Sequence, residues 1–396
     1  MSAFLMELRD EIVPIVLQHL DLVQLSQLRR VCRQCRTWAA MEITSMPKPV
    51  AVGGTRWEEH SHTAQPQSQV LELDLSTLRW NDAVAVPALP QPRGFHGVCA
   101  LPGSGIVVAG GVVGSHEAPT HQGSAIRWAA GDEQWTSLPN LLVARESAAL
   151  VSLGDSRVLA IGGVERVQDS DDDEGAGFGE EPLSSVELLA PPGDAWRLQA
   201  PMPAPREAMA VGLLRSGKII VCGGRNDEND ALDSVLLFDP AANAWAELPS
   251  LPEARYCAAS CVLEDGRFAV CGGMRYDSQS QEIANLTDGV IFSPERNAWS
   301  LMAATPAGVN RLGGSAAAVR GGLVCVGGQR DLLWRAQTDS WYEISRDKDF
   351  RKIIHSRPAA ELGAVGQGGS ASADERCAQL AAGGDPPAGC TQLIIN

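Results

Sequence analysis

Two sets of side chains in this sequence have types and spacings that could do chemistry. Cys32 and Cys35 form a Cys-x-x-Cys, half of a tetrahedral zinc site. Arg93, Arg145, Arg206, Arg255 and Arg311 recur along the chain, each shortly after a tryptophan-bearing segment, and a second set, Arg225, Asn226, Arg275 and Arg330, follows Gly-Gly pairs. Such arginines either hydrogen-bond loop carbonyls and the neighbouring Glu146, Glu207 and Glu253, or line up as a partner-binding face.

The zinc reading fails on ligand count. A structural zinc needs four ligands, and a second pair should follow closely. The next cysteine is Cys99, and the nearby histidine is His19. The two thiols instead continue an apolar stripe, Leu22, Leu25, Leu28, Cys32, Cys35 and Ala39, in helical steps of three and four. His60, His62, His116 and His121 fall in matching loops without a carboxylate or cysteine framework, so no metal is expected there either. No Ser-His-Asp set, phosphate loop or paired-carboxylate motif is visible, so neither catalysis nor a cofactor is expected.

Composition narrows the class further. A formal charge of −16 disfavours nucleic acid and anionic membranes as partners. No apolar run approaches the roughly 20 residues of a membrane helix. Glu7, Asp10 and Glu11 occupy the start of the chain, unlike a signal peptide. Ten cysteines without a small-scaffold pattern point to a reducing compartment, the cytosol with or without the nucleus. The acidic run Asp169–Glu174 reads as a solvated loop insertion.

Residues 8–40 read as helices. Asp10 can cap the first, whose apolar positions are Ile12, Val13, Val16, Leu17 and Leu20. Asp21 followed by Gln24 predicts a capping box for the second. The run from Leu8 through Glu11, Ile12, Val16, Leu17, Leu20, Leu22, Leu25 and Leu28 to Val31-Cys32-Arg33 resembles an F-box. It departs from that motif at Arg9, where proline is usual, and at Cys35, where tryptophan is common and Trp38 follows one turn on.

Beyond residue 48 short apolar runs ending in Gly-Gly replace the helical pattern. Six such pairs begin at Gly53, Gly110, Gly162, Gly223, Gly272 and Gly327, with spacings of 57, 52, 61, 49 and 55 residues. Trp80, Trp135, Trp196, Trp245, Trp299 and Trp341 keep phase with them. The unit 234–273 divides into four short strands, with Pro249 and Pro252 as breakers and Glu264-Asp265-Gly266 as a hairpin turn. Four strands per period of about 50 residues is a propeller blade.

These units resemble kelch repeats. The expected fold is therefore mainly β, a six-bladed kelch-type β-propeller with a small N-terminal helical F-box-like domain. The expected divisions are 1–46 for the helical domain, 47–366 for the propeller and 367–396 for a low-complexity, disordered tail. The first unit lacks a strand before Pro49; residues 357–366 are the first candidate to close the ring, and residues 391–395 the alternative.

The combined resemblance is to substrate receptors of SCF-type cullin–RING ubiquitin ligases. It implies that Leu8, Ile12, Val16, Leu17, Leu20, Leu22, Leu25, Leu28 and Val31 dock a Skp-type adaptor, and through it a cullin scaffold. It also implies that Arg93, Arg145, Arg206, Arg255, Arg311, Arg225 and Arg275 face a protein substrate at one mouth of the channel. The alternative is a kelch interaction scaffold whose N-terminal helices cap the ring. The two differ in whether Leu17, Leu20 and Leu25 face outward or inward. A kelch-type copper oxidase is disfavoured, since Tyr256, Tyr276 and Tyr342 lack the required histidine arrangement.

Overall fold

In the computed structural model, the described residues are 17–18, 20–29, 33–44, 46, 48–58, 63–75, 79–82, 85–103, 105–114, 120–168, 178–191, 193–277, 282–306, 315–326, 331–344 and 393–395. Six four-stranded antiparallel sheets follow one another around a channel. Blade 2 is built from Gly97–Leu101, Gly105–Ala109, Ala125–Trp128 and Thr136–Leu138. Blade 3 uses Ala149–Ser152, Val158–Ile161, Val186–Leu189 and Trp196–Leu198. Blade 4 uses Ala210–Leu213, Ile219–Cys222, Val235–Asp239 and Ala244–Leu248. Blade 5 uses Ala259–Val262, Phe268–Cys271, Gly289–Ser293 and Ala298–Leu301. Blade 6 uses Ser315–Val319, Gly322–Val326, Asp331–Arg335 and Ser340–Ile344.

Blade 1 takes its strands from both ends of the chain. Pro49–Glu58, Thr63–Asp74 and Arg79–Asp82 come in sequence, and Leu393–Ile395 supplies the innermost strand against Pro49–Ala51. The alternative closing segment is thus the one that pairs, and the first candidate, 357–366, lies outside the described residues. The stretch 367–396, expected as a disordered tail, contains this strand. Its Leu-Ile-Ile sequence has the β-branched, apolar residues that suit a strand.

The core is six layers, one per junction between blades. Alternation along each strand feeds two layers at once. In blade 3, Val158 and Ala160 pack toward Cys99, Val107 and Ala109 of blade 2. Leu159 and Ile161 pack toward Ile219 and Val221 of blade 4. No blade could bury both faces alone, so the ring is the folding unit.

Two helices, α1 (Leu22–Leu28) and α2 (Arg33–Thr44), precede blade 1. The predicted capping box is present: Gln24 N–H donates to Asp21 Oδ1 at 2.8 Å and Asp21 N–H donates to Gln24 Oε1 at 3.0 Å. The expected separate helical domain is not. Leu17, Leu20, Leu22, Leu25, Leu28, Ala39, Ile43 and Met46 share one core layer with Leu73 and Leu75 of blade 1 and Val319, Val324, Val326 and Leu333 of blade 6. The physical reason is size. A helix of seven residues cannot hold itself together in water, and its apolar face finds the junction of blades 6 and 1. Arg335 pairs with Asp21, Arg320 with Glu42 at 2.7 Å, and Leu22 N–H reaches the Arg320 carbonyl at 3.3 Å. Leu8, Ile12, Val16 and Val31 lie outside the described residues.

Candidate functional site

The recurring arginines are placed by one device. Each lies before the innermost strand of its blade, and its guanidinium reaches back to the first glycine of that blade's Gly-Gly pair, 17 residues on. Arg93 donates to the Gly110 carbonyl at 2.9 Å, Arg145 to Gly162 at 3.0 Å, Arg206 to Gly223 at 3.1 Å and Arg255 to Gly272 at 3.0 Å. Each guanidinium also donates to the residue before the third strand: Ser124, Ser185, Ser234 and Asp288. Meanwhile the arginine carbonyl accepts from the second glycine of the preceding blade, as in Gly111 to Arg145 at 2.8 Å and Gly163 to Arg206 at 3.1 Å.

Each arginine is therefore a latch between two blades, and this requires the glycines. A Cβ at Gly162, where φ is +56°, would sit 2.5 Å from the Arg206 carbonyl oxygen; one at Gly163 would sit 2.5 Å from that of Glu146. The consequence for the expected substrate ring is direct. Arg93, Arg145, Arg206 and Arg255 are buried, at 4, 0, 2 and 1 % exposure, so their charges do not face a partner. Burial holds the Arg93 guanidinium down to about 10, and it lowers Arg145 against the opposing pull of Glu187. Arg311 lies outside the described residues.

The residue after each arginine differs from blade to blade, and three of the four are buried, Glu146 being the partly exposed one. Gly94, Glu146, Glu207 and Tyr256 occupy this place, each bridged to the residue after the Gly-Gly pair: Val112, Val164, Arg225 and Met274. The next residue is left-handed in all four blades, Phe95, Ser147, Ala208 and Cys257, each with φ near 51°. This geometry turns their amides along the ring. Ser147 N–H donates to the Phe95 carbonyl at 2.8 Å, Ala208 to Ser147 at 3.2 Å and Cys257 to Ala208 at 2.9 Å. The girdle surrounds a cavity of about 180 Å³ lined by small side chains such as Ala148, Ala258, Ser260 and Ser315.

The mouth carries both signs of charge. Arg225, expected to face a substrate, is paired with Glu207 and lies over the Tyr256 ring at 5.5 Å. Burial works against its charge, but Glu207 overrides this and holds the guanidinium above its usual value. Arg275 stands further out, half exposed, 3.4 Å from Glu253. On the other side His121, from the hairpin Val112–Val113/Thr120–His121, meets Glu146 at 3.6 Å, with Glu180 of the hairpin Val164–Gln168/Phe178–Pro182 alongside. Burial, then Arg166, lowers the His121 pKa to about 4, so the ring is neutral. Sequence reasoning named Arg225 and Arg275 for this face and Glu146 and Glu207 only as arginine partners; the constant place one step after each recurring arginine is the signal that would have grouped them with Gly94 and Tyr256.

The adaptor-facing set is also accounted for. Leu17, Leu20, Leu22, Leu25 and Leu28 are 3, 7, 2, 0 and 4 % exposed, turned inward to the ring. Cys35 lies in α2, and Cys32 outside the described residues. Among the described residues no helix is long and apolar enough to cross a membrane.

Comparison with known proteins matches these features. A kelch motif model fits residues 215–252, the unit running from the turn of blade 4's inner hairpin through its second, third and fourth strands. Kelch-like protein 33 of Homo sapiens is 34% identical over 149 residues, 37% of this chain; the match spans only 24% of that protein's length. The solved structure of YjhT superposes with a TM-score of 0.56 at 14% identity, covering 74% of this chain and 97% of that one, a likeness of fold. A matched kelch motif, a kelch-like relative and a closed ring of six blades together support a kelch-repeat propeller protein.

Proposed function

We propose that this chain is a non-catalytic protein-interaction scaffold that engages a partner at the loop-built mouth of its propeller. One observation carries the reading. The residues that repeat from blade to blade, Arg, Gly-Gly and Trp, are engaged inside the ring, while the more exposed groups beside them, Glu146, Arg225 and Arg275, differ from blade to blade. A constant frame with a variable rim is how repeat proteins present a recognition surface. The mixed charge of the mouth fits a polar partner segment better than a strongly acidic one. The test is an affinity capture from cell extract with the intact chain and with Arg275→Glu, which alters the rim and leaves the latches intact. A protein retained by the first and lost by the second supports the scaffold. Binding partners indifferent to every rim substitution would refute a mouth-centred one.

A second reading, the substrate receptor of an SCF-type ligase, rests on the F-box resemblance of residues 8–33. It requires the Leu17, Leu20, Leu22, Leu25 and Leu28 face to leave the propeller, since docking to a Skp-type adaptor needs that face exposed. Recovery of the adaptor and a cullin by the intact chain would favour it, and their absence from a folded chain would remove it. The cytosol, with or without the nucleus, is the compartment proposed for either reading.

A further inference from the structure

His121 is an anomaly in the mouth. Its side chain is 7 % exposed, yet its Nδ1 has no hydrogen-bond partner. Its Nε2 lies 3.6 Å from Glu146 Oε2, too long for a hydrogen bond. Two ligands held about 2.1 Å from one tetrahedral ion stand roughly 3.4 Å apart. Glu180 brings a third ligand atom, and all three lie within 4.8 Å of one another.

We propose that His121, Glu146 and Glu180 form a binding site for a divalent transition-metal ion of the zinc class, stapling the outer hairpin of blade 2 to blade 3. One imidazole and two carboxylates suit zinc, with water completing the shell. The ligands come from three short β pairings, Val112↔His121, Glu146↔Val164 and Arg166↔Glu180, so each backbone is fixed before the ion arrives. Arg166, opposite Glu180, is the competing cation: it balances the carboxylates when no ion is bound. Sequence alone hid the set, because the ligands are 25 and 34 residues apart and the two carboxylates belong to the next blade.

The site shares Glu146 with the proposed partner mouth, but its test uses no partner, so the two readings fail separately. The intact chain is stripped with chelator, then titrated with Zn²⁺ by calorimetry and with Co²⁺ by visible absorption. We expect one equivalent bound, a raised thermal midpoint, and a Co²⁺ spectrum without the thiolate charge-transfer band that binding at the chain's cysteines would give. His121→Ala and Glu180→Gln should each weaken binding at least about tenfold. Circular dichroism establishes that each variant is folded. Glu180→Gln changes a hairpin outside the four-stranded sheets, so it remains informative if His121→Ala does not fold. No binding by the intact chain, a thiolate band, or full binding by Glu180→Gln would overturn the site and leave an ion-pair cluster.

Discussion

At five junctions of the ring a tryptophan of one blade donates its indole N–H to a carbonyl of the blade before it. Trp135 reaches Pro87, Trp196 Pro139, Trp245 Ala200, Trp299 Pro249 and Trp341 Ala303, all between 2.8 and 2.9 Å. The four described Arg–Gly latches lie at the first four of these junctions. The sixth junction, between blades 6 and 1, is made otherwise. There Trp80 packs into a layer shared with α1 and α2, and the inner strand of blade 1 arrives from the C-terminus. Identical units can pass a lock to their successor, but the last unit has none. The seam is therefore held by segments outside the repeat: apolar helices, the Arg335–Asp21 and Arg320–Glu42 pairs, and one returning strand. A regular junction adds a repeated polar lock to its apolar layer, while the seam completes its layer with helices, two ion pairs and a strand from distant parts of the chain.

The sharpest way to break that contrast is at the most buried latch. Arg145 and Glu187 are both fully buried and paired, and Glu187 also accepts from Leu142 and Val143 N–H at 2.7 and 3.2 Å. Arg145→Ala leaves that carboxylate without its cation, and the expected loss is about 3–5 kcal/mol in urea unfolding. Arg206 bonds carbonyls of Gly223 and Ser234 without an acid, so Arg206→Ala should lose only about 1–3 kcal/mol. Equal losses would mean that the carboxylate is irrelevant and that the backbone latch carries the junction.

At the seam the corresponding probe is Leu25, which is fully buried. Leu25→Ala should cost about 2–5 kcal/mol, the range for a core cavity. Hydrogen exchange should quicken first at the blade 1 strands and leave blades 3 and 4 protected. If the loss is below about 1 kcal/mol, the helices do not hold the seam. The adaptor-docking reading would then regain ground, because its face would be easily released.

Much of this ring was legible in the sequence because its causes are local and repeated. The Gly-Gly pairs, the phased tryptophans and the hairpin turns each demand a residue type at a fixed step, and all six blades follow from them. The Asp21–Gln24 capping box was legible for the same reason, two residues answering each other over one helical turn. Reading failed where a side chain's partner lies far along the chain. An arginine repeated in loops looks the same whether it meets a partner or a carbonyl 17 residues on. The leucines of α1 form an apolar stripe whether they face an adaptor or Val324 and Leu333, some 300 residues away. Periodicity tells which face is apolar and leaves open what covers it.

Acid offers the mildest test, and it strikes a regular junction first. His96 is buried at the junction of blades 1 and 2, its Nε2–H donating to the Val52 carbonyl at 3.0 Å. Burial, then the Arg93 charge, lowers its pKa from 6.5 to about 3, so the folded ring stays neutral where the unfolded one charges. Below pH 6.5 the unfolded chain binds the proton and the folded chain does not, so stability falls as pH drops from 6.5 toward 3. The slope for one such group is up to about 1.4 kcal/mol per pH unit. His96→Gln keeps an N–H donor but cannot charge, so its unfolding free energy should fall less steeply across that window. His121, with its pKa lowered to about 4, remains in the variant, so the slope shallows without vanishing. An unchanged slope would move the acid sensitivity away from the junction of blades 1 and 2. Among the described residues, the core layer of the seam around Leu25 contains no histidine, and its exchange rates should respond to acid after those of that junction.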